Sequence, residues 1–319
     1  MMLHALSIDV EDYYNQLAID FCDRVEPPRA ASERDTHAML DLCGEFGVRT
    51  TCFVLGEMAE HFPALVRRIG DEGHQLGVHA YYHHQIWRHT PESFRQVTER
   101  AIRRLEDVTG RRVDAHRAVA FSLTRETRWA LPILADLGIV YDSSIFPFRG
   151  RRYGIADSLR GPHRLALPDG REMWEFPLST VEALGRRWPA CGGGYLRHFP
   201  LAYTRWALRA LEREGLAANL YLHPYEIEVA PKIEPIAGLE TWKQRMHFRF
   251  FNVHQLRNRR RTAPKLRALL GEFQWGSIDR ALAAWSAGGA EVPRVRLDET
   301  SVTFAGPGLV GANEVRAAD

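Results

Sequence analysis

His79 and His83, in the stretch His79-Ala80-Tyr81-Tyr82-His83-His84, are spaced to close on one metal ion. They could do so from adjacent helical turns, or from a strand end and the loop after it. The flanking residues favour the second arrangement. Phe62 to Glu72 reads as a helix stopped by Gly73, and Gln75-Leu76-Gly77-Val78 as a short buried strand. His79 then falls at the strand end and His83 in the following loop, where α/β enzymes collect catalytic groups. In a chain with 14 histidines the spacing alone is weak, so core-edge imidazoles are the plain alternative until a carboxylate partner is found.

A carboxylate is offered near the start of the chain. Leu3 to Val10 is a compact apolar strand that ends in Asp9-Val10-Glu11-Asp12 and runs on into Tyr13-Tyr14. Asp9 and Glu11 share a strand face, and Asp12 begins the loop beyond. Three carboxylates within four residues repel one another unless a cation, arginine or histidine compensates; a solvated acidic turn is the alternative. Arg117 and His223 fall at two further strand ends. Two imidazoles and one carboxylate leave positions open for water, which is the pattern of a catalytic metal site. A second carboxylate can then take a proton from water, an arginine can hold it ionised, and a distant histidine can protonate a leaving group. That set suits hydrolysis of an amide or ester. Zinc is the default metal, with iron, cobalt, nickel or manganese also suited to imidazole plus carboxylate.

The elements that must position these groups alternate strictly. Helices are predicted over Ser32–Glu45, Glu57–Glu72, Pro91–Thr109 and Thr124–Leu137, with Thr90 capping the third and Gly138 stopping the fourth. Between them lie strands at Thr51–Leu55, at the histidine stretch, at Val113–Arg117 and at Ile139–Tyr141, the last closing on Asp142-Ser143-Ser144. Further on, Glu172–Leu178 reads as a strand, Cys191-Gly192-Gly193-Gly194-Tyr195 as a tight loop, Leu201–Glu214 as a helix and Ala217–His223 as the last clear strand. Such alternation predicts a parallel α/β sheet, open or closed into a barrel. The basic run Arg257-Asn258-Arg259-Arg260-Arg261 is either a solvated helix start or a contact for an anionic saccharide or lipid phosphate.

A net charge of +2 and a pI near 8.4 argue against a nucleic-acid partner. No stretch approaches the ~20 apolar residues of a membrane span, and Met1 to Leu6 enters a strand at once, so a cytoplasmic address is expected. Cys22, Cys43, Cys52 and Cys191 form no C-x-x-C pair, which suggests neither a disulfide framework nor a thiolate zinc site.

In order along the chain, these motifs resemble those of the polysaccharide deacetylases with NodB homology, carbohydrate esterase family four. Ser7-Ile8-Asp9-Val10-Glu11-Asp12 stands for the family's Thr-Phe-Asp-Asp-Gly, and His79-Ala80-Tyr81-Tyr82-His83 for its His-Ser/Thr-x-x-His. Arg117-Ala118-Val119 stands for Arg-x-Pro, Asp142-Ser143-Ser144 for the aspartate before the fifth-strand loop, and Leu222-His223-Pro224 for Leu-x-His. Gly192-Gly193-Gly194-Tyr195, Tyr221 to Glu226, and the Arg-rich segment into Lys265-Leu266-Arg267 resemble the exosortase-locus branch. The resemblance implies a distorted (β/α) barrel of about seven parallel strands over residues 1–275, with 276–319 a C-terminal extension that can add an edge strand. It implies Asp9 as catalytic base, Arg117 as its partner, His223 as general acid, and His79 and His83 as metal ligands. Val10 replaces the family's second Asp, so the metal carboxylate is Glu11, with Asp12 the alternative. Ala80 and Val119 also depart from the pattern, and His84 crowds the ligand pair. Tyr13, Tyr82, Tyr195 and Tyr225 are candidates to meet sugar rings. The implied activity is metal-dependent N-deacetylation of an amino-sugar in a cell-surface or exopolysaccharide, or its precursor. Hydrolysis of another C–N bond (formamide, ureide, cyclic imide) and a non-catalytic carbohydrate-binding role are the competing expectations.

Overall fold

Leu3–Val10 (β1) sets His4, Ser7 and Asp9 among apolar residues and, past its first residue, is buried on both faces, as a central strand of a parallel sheet must be. In a computed structural model, which describes residues 1–148, 154–190, 192–228, 236–289, 291–297 and 302–303, it is the strand around which the sheet is built. The other described strands are β2 (Thr51–Leu55), β3 (Gln75–Ala80), β4 (Ala115–His116), β5 (Tyr141–Asp142), β6 (His163–Ala166), β7 (Glu172–Glu175), β8 (Thr180–Ala183), β9 (Arg186–Pro189), β10 (Asn219–Leu222), β11 (Gln274–Gly276), β12 (Arg294–Leu297) and β13 (Val302–Thr303), of which β8 and β9 pair only with each other. Seven of them run parallel in the order β10-β1-β2-β3-β4-β5-β7. Helices pack outside this row, and its residues make the main apolar core.

The row is a distorted barrel because its two ends, β7 and β10, share no ladder among the described residues. Asn219 bridges them instead. Its buried side-chain amide donates to the Phe176 carbonyl (3.0 Å) and to Ser143 Oγ (2.8 Å), while its backbone N–H donates to Ser179 Oγ (2.7 Å).

The expected helix Glu57–Glu72 is two helices, Gly56–His61 and Pro63–Asp71, because Phe62 (φ −127°, ψ 60°) leaves the helical region before Pro63 starts the second. The expected loop at the glycine triplet becomes the helix Gly193–His198. Gly192 (φ 121°) cannot be replaced there: a Cβ would stand 2.1 Å from the Tyr221 ring. Cys191 lies outside the described residues.

The extension from residue 276 does not stand apart. β11 pairs with the start of β1, and the helix Ile278–Ala287 buries Ile278, Ala281 and Leu282 against Ala5 and Phe53 under the barrel floor. Its N-terminus is held by Thr51 Oγ1, which accepts from the Ile278 N–H (2.7 Å). β12 then lies parallel beside β6, and β13 pairs antiparallel with β12 at the edge of the sheet. Residues 304–319 lie outside the described residues.

Candidate active site

β1 and β3 lie one strand apart, across β2, so the acids ending the first face the histidines ending the second. Glu11, His79 and His83 are all buried, and one ligand atom from each lies within 4.8 Å of the others. Glu11 Oε2 is 2.9 Å from His83 Nε2 and 3.5 Å from His79 Nε2. Among the described residues this is the one group of three His, Cys, Asp or Glu side chains so arranged. His79 Nδ1–H donates to the Arg117 carbonyl (2.8 Å), which fixes the tautomer and leaves the Nε2 lone pair for a cation. Neither Glu11 oxygen receives a hydrogen bond of good geometry, although both are buried. A carboxylate so placed costs several kcal/mol unless a cation completes it, so the donor set fits a divalent metal. Burial opposes its ionisation, but the positive charges of His83 and His223, with the close approach of the His79 and His83 rings, hold the Glu11 carboxyl well below its ordinary value.

Asp12, the alternative ligand, is spent on the backbone. Its Oδ1 accepts from the Asn15 N–H (2.8 Å), capping the helix Tyr13–Cys22, and its Oδ2 accepts from the Arg29 N–H (2.9 Å). Asp12→Ala is therefore expected to lower stability by about 1–2 kcal/mol in a denaturant titration, while metal content stays that of the wild type.

Asp9 is bound from behind by Arg117, which is wholly buried. Arg117 Nη1 donates to Asp9 Oδ1 (2.8 Å) and Ser7 Oγ (2.9 Å), Nη2 to Ser143 Oγ (2.8 Å) and Nε to the Ser143 carbonyl (3.0 Å). The Phe53 ring lies 4.3 Å from the guanidinium. Val119, where the resemblance expects proline, does not disturb this fork.

His223 stands on the other side of the centre, its Nε2 3.6 Å from Glu11 Oε1 and 3.9 Å from Asp9 Oδ2. Glu226 Oε2 takes both the backbone N–H of His223 (3.0 Å) and its Nδ1 (3.2 Å), and Arg197 Nη1 donates to Glu226 Oε1 (2.8 Å). Burial pulls the imidazole down, but Glu11, Glu226 and Asp9 outweigh it and raise it to about 9. Sequence reasoning did not single out Glu226 or Arg197. The signal was present in the His-x-x-Glu spacing, which closes a reciprocal cap at the start of a short helix.

Glu11 opens onto a cavity of about 610 Å³. Tyr13 and Tyr225 line it, together with Arg29, Arg34 and Arg259. Tyr225 stacks on His223 (4.9 Å, 11°), and Tyr13 meets Tyr225 at 4.9 Å. Tyr82 and Tyr195 are not among the lining residues: Tyr82 packs on Tyr81, and Tyr195 on Phe146 and Phe199. His84 turns toward His89.

Beneath Arg117 lies a buried acid pair. Asp142 Oδ1 meets His116 Nδ1 (2.6 Å) and accepts from Ser144 Oγ (2.8 Å), while Glu175 Oε1 accepts from the Ile145 N–H (3.0 Å). Burial, then the adjacent Asp142 charge, raises the Glu175 carboxyl well above its ordinary value, so it stays protonated and donates to Asp142. In the native state Glu175 keeps a proton that the unfolded chain releases above pH 4.5, so stability falls as pH rises through that window. Glu175→Gln is expected to remove this slope, and its advantage over wild type in thermal midpoint should grow with pH.

Residues 23–141 match the polysaccharide deacetylase family, taking in His79, His83 and Arg117, and residues 143–283, with His223, match a domain of unknown function (DUF3473). The stretch that carries both histidines and Arg117 is thus similar to the polysaccharide deacetylases. A peptidoglycan-N-acetylglucosamine deacetylase of Bacillus cereus is 38% identical over 73 residues, which is 22% of this chain and 26% of that relative's own length. A candidate polysaccharide deacetylase from Mycobacterium smegmatis superposes with a TM-score of 0.61 at 20% identity, covering 96% of this chain and 94% of that one. A Puue allantoinase gives 0.54 at 15% identity, covering 89% of each. At such identities these two structures show the fold of the chain and nothing more.

Proposed function

We propose that this chain belongs to the polysaccharide deacetylases and is a metal-dependent hydrolase that removes N-acetyl groups from an amino-sugar of a cell-surface or exopolysaccharide, or of its precursor. The observation that carries the proposal is the convergence of Glu11, His79 and His83 between a carboxylate held by arginine and a histidine held by glutamate. Glu11, His79 and His83 would hold one divalent cation, zinc by preference of the donors, which when bound supplies Lewis acidity toward an acetyl oxygen and water. The chain's own groups then divide the proton work. Asp9, aimed by its hydrogen bond from Arg117, accepts a proton from the attacking water. His223, kept charged by Glu226, gives a proton to the sugar nitrogen as its bond to the acetyl carbon breaks, leaving acetate and a free amine. Tyr13 and Tyr225 offer aromatic faces at the cavity wall for a sugar ring.

Acetate release from a panel of N-acetylated oligosaccharides, with allantoin and simple formamides run beside them, tests this reading. Acetate from at least one saccharide is the expected result. Turnover of the formamides or allantoin alone would move the proposal to another C–N bond, and bound metal with no hydrolysis of any of them would end it.

A further inference from the structure

The helix Trp242–Leu256 has two apolar faces, and the fold uses one of them. Phe248 packs inward with Leu17, Ala18 and Ile236. Asn252 accepts a hydrogen bond from the Tyr13 hydroxyl (2.9 Å), and Gln255 accepts one from Arg197 Nη2 (2.8 Å). The inner face therefore rests on residues that line the cavity and hold His223 through Glu226. On the outer side Trp242, Met246, Phe250 and Val253 stand 69%, 53%, 74% and 51% exposed. Spacings of four, four and three residues set them in one stripe. A contiguous apolar stripe of this kind marks an interaction surface.

Its border says what it meets. By helical position Lys243 and His254 flank the stripe on one side, Arg245 and Arg249 on the other, and exposed Arg257 follows at its end. No Asp or Glu occurs between Glu240 and Glu272, whereas Lys and Arg occur nine times there, in a chain of net charge +2 overall. Trp and Phe wedges bounded by bases, without acids, match an anionic lipid surface: the rings enter below the headgroups and the bases meet the phosphates. No described helix is long and apolar enough to cross a membrane, so this contact is interfacial.

We propose that the outer face of Trp242–Leu256 docks on an anionic lipid bilayer and brings the cavity to a lipid-anchored glycan. The choice of glycan rests on the deacetylase reading; the docking does not. Co-sedimentation with phosphatidylcholine vesicles, with and without phosphatidylglycerol, reads docking without catalysis. The chain is expected to pellet with the anionic vesicles, less so as salt rises. Trp242→Ser with Phe250→Ser should lower the partition coefficient about tenfold or more, while acetate release from a soluble N-acetylated oligosaccharide is unchanged. Arg245→Gln with Arg249→Gln, which leaves the rings in place, should weaken binding and flatten its salt dependence. No pelleting at low salt, or equal pelleting of the ring variant, overturns the proposal. So does a ring variant that changes only the oligomeric mass in sedimentation velocity, since a second copy would then cover the stripe. Vesicle binding by a chain that releases no acetate would leave the docking standing and remove the deacetylase reading.

Discussion

Asp9→Asn is expected to lower acetate release by about 10²- to 10⁴-fold, the usual contribution of a positioned general base, while metal content stays that of the wild type. The two readouts separate because the two acids of β1 face different partners. Glu11 points at His79 and His83, whereas Asp9 is tied through Oδ1 to Arg117; His223 stands near both, 3.6 Å from Glu11 and 3.9 Å from Asp9. Asparagine keeps the shape of the side chain but cannot accept the proton from water. Glu11→Gln should do the reverse and lose the metal. If Asp9→Asn lost the metal as well, Asp9 would belong among the ligands, and if it kept its rate another group would be the base.

Arg117→Met is expected to cost about 3–5 kcal/mol of stability, because it strands a buried carboxylate. In a chain of this size that corresponds to a fall of roughly 10 °C in the thermal midpoint. The guanidinium makes four hydrogen bonds with no exposed surface, to Asp9, Ser7 and both oxygens of Ser143. Removing it leaves the buried Asp9 carboxyl without its nearest cation, with His223 Nε2 3.9 Å away. Combining Arg117→Met with Asp9→Asn should recover part of the loss, since the second change removes the stranded charge. A single-variant loss below about 1 kcal/mol in a urea titration, or additivity in the double variant, would show that the pair is not the keystone of the barrel mouth.

The parts of the site legible in the sequence are those set by strand geometry. Alternation carried one residue past β1 puts Glu11 on the side of Asp9, and His79 near the end of β3 with His83 in the loop after it brings two imidazoles together. What the sequence hid depends on long-range contact. Glu11 and Asp12 differ only in where each side chain turns, and Asp12 is taken by backbone N–H groups at Asn15 and Arg29. Asn219 closes the barrel by side-chain bonds to segments 40 and more residues away, which no periodicity reports. Arg197 finds Glu226 only because Gly192 and Gly193 let that helix start against Tyr221 and Glu226. Tyr82, an aromatic candidate for a sugar face, is turned by the chain after β3 onto Tyr81.

Metal content measured beside acetate release, before and after chelation and for His79→Ala and His83→Ala, tests the central claim most directly. The geometry predicts about one divalent ion per chain, activity lost on chelation and restored by adding the ion, and neither metal nor activity in the two histidine variants. A chain that hydrolyses its saccharide equally well when metal-free, or that keeps a full complement of metal without those histidines, would contradict it.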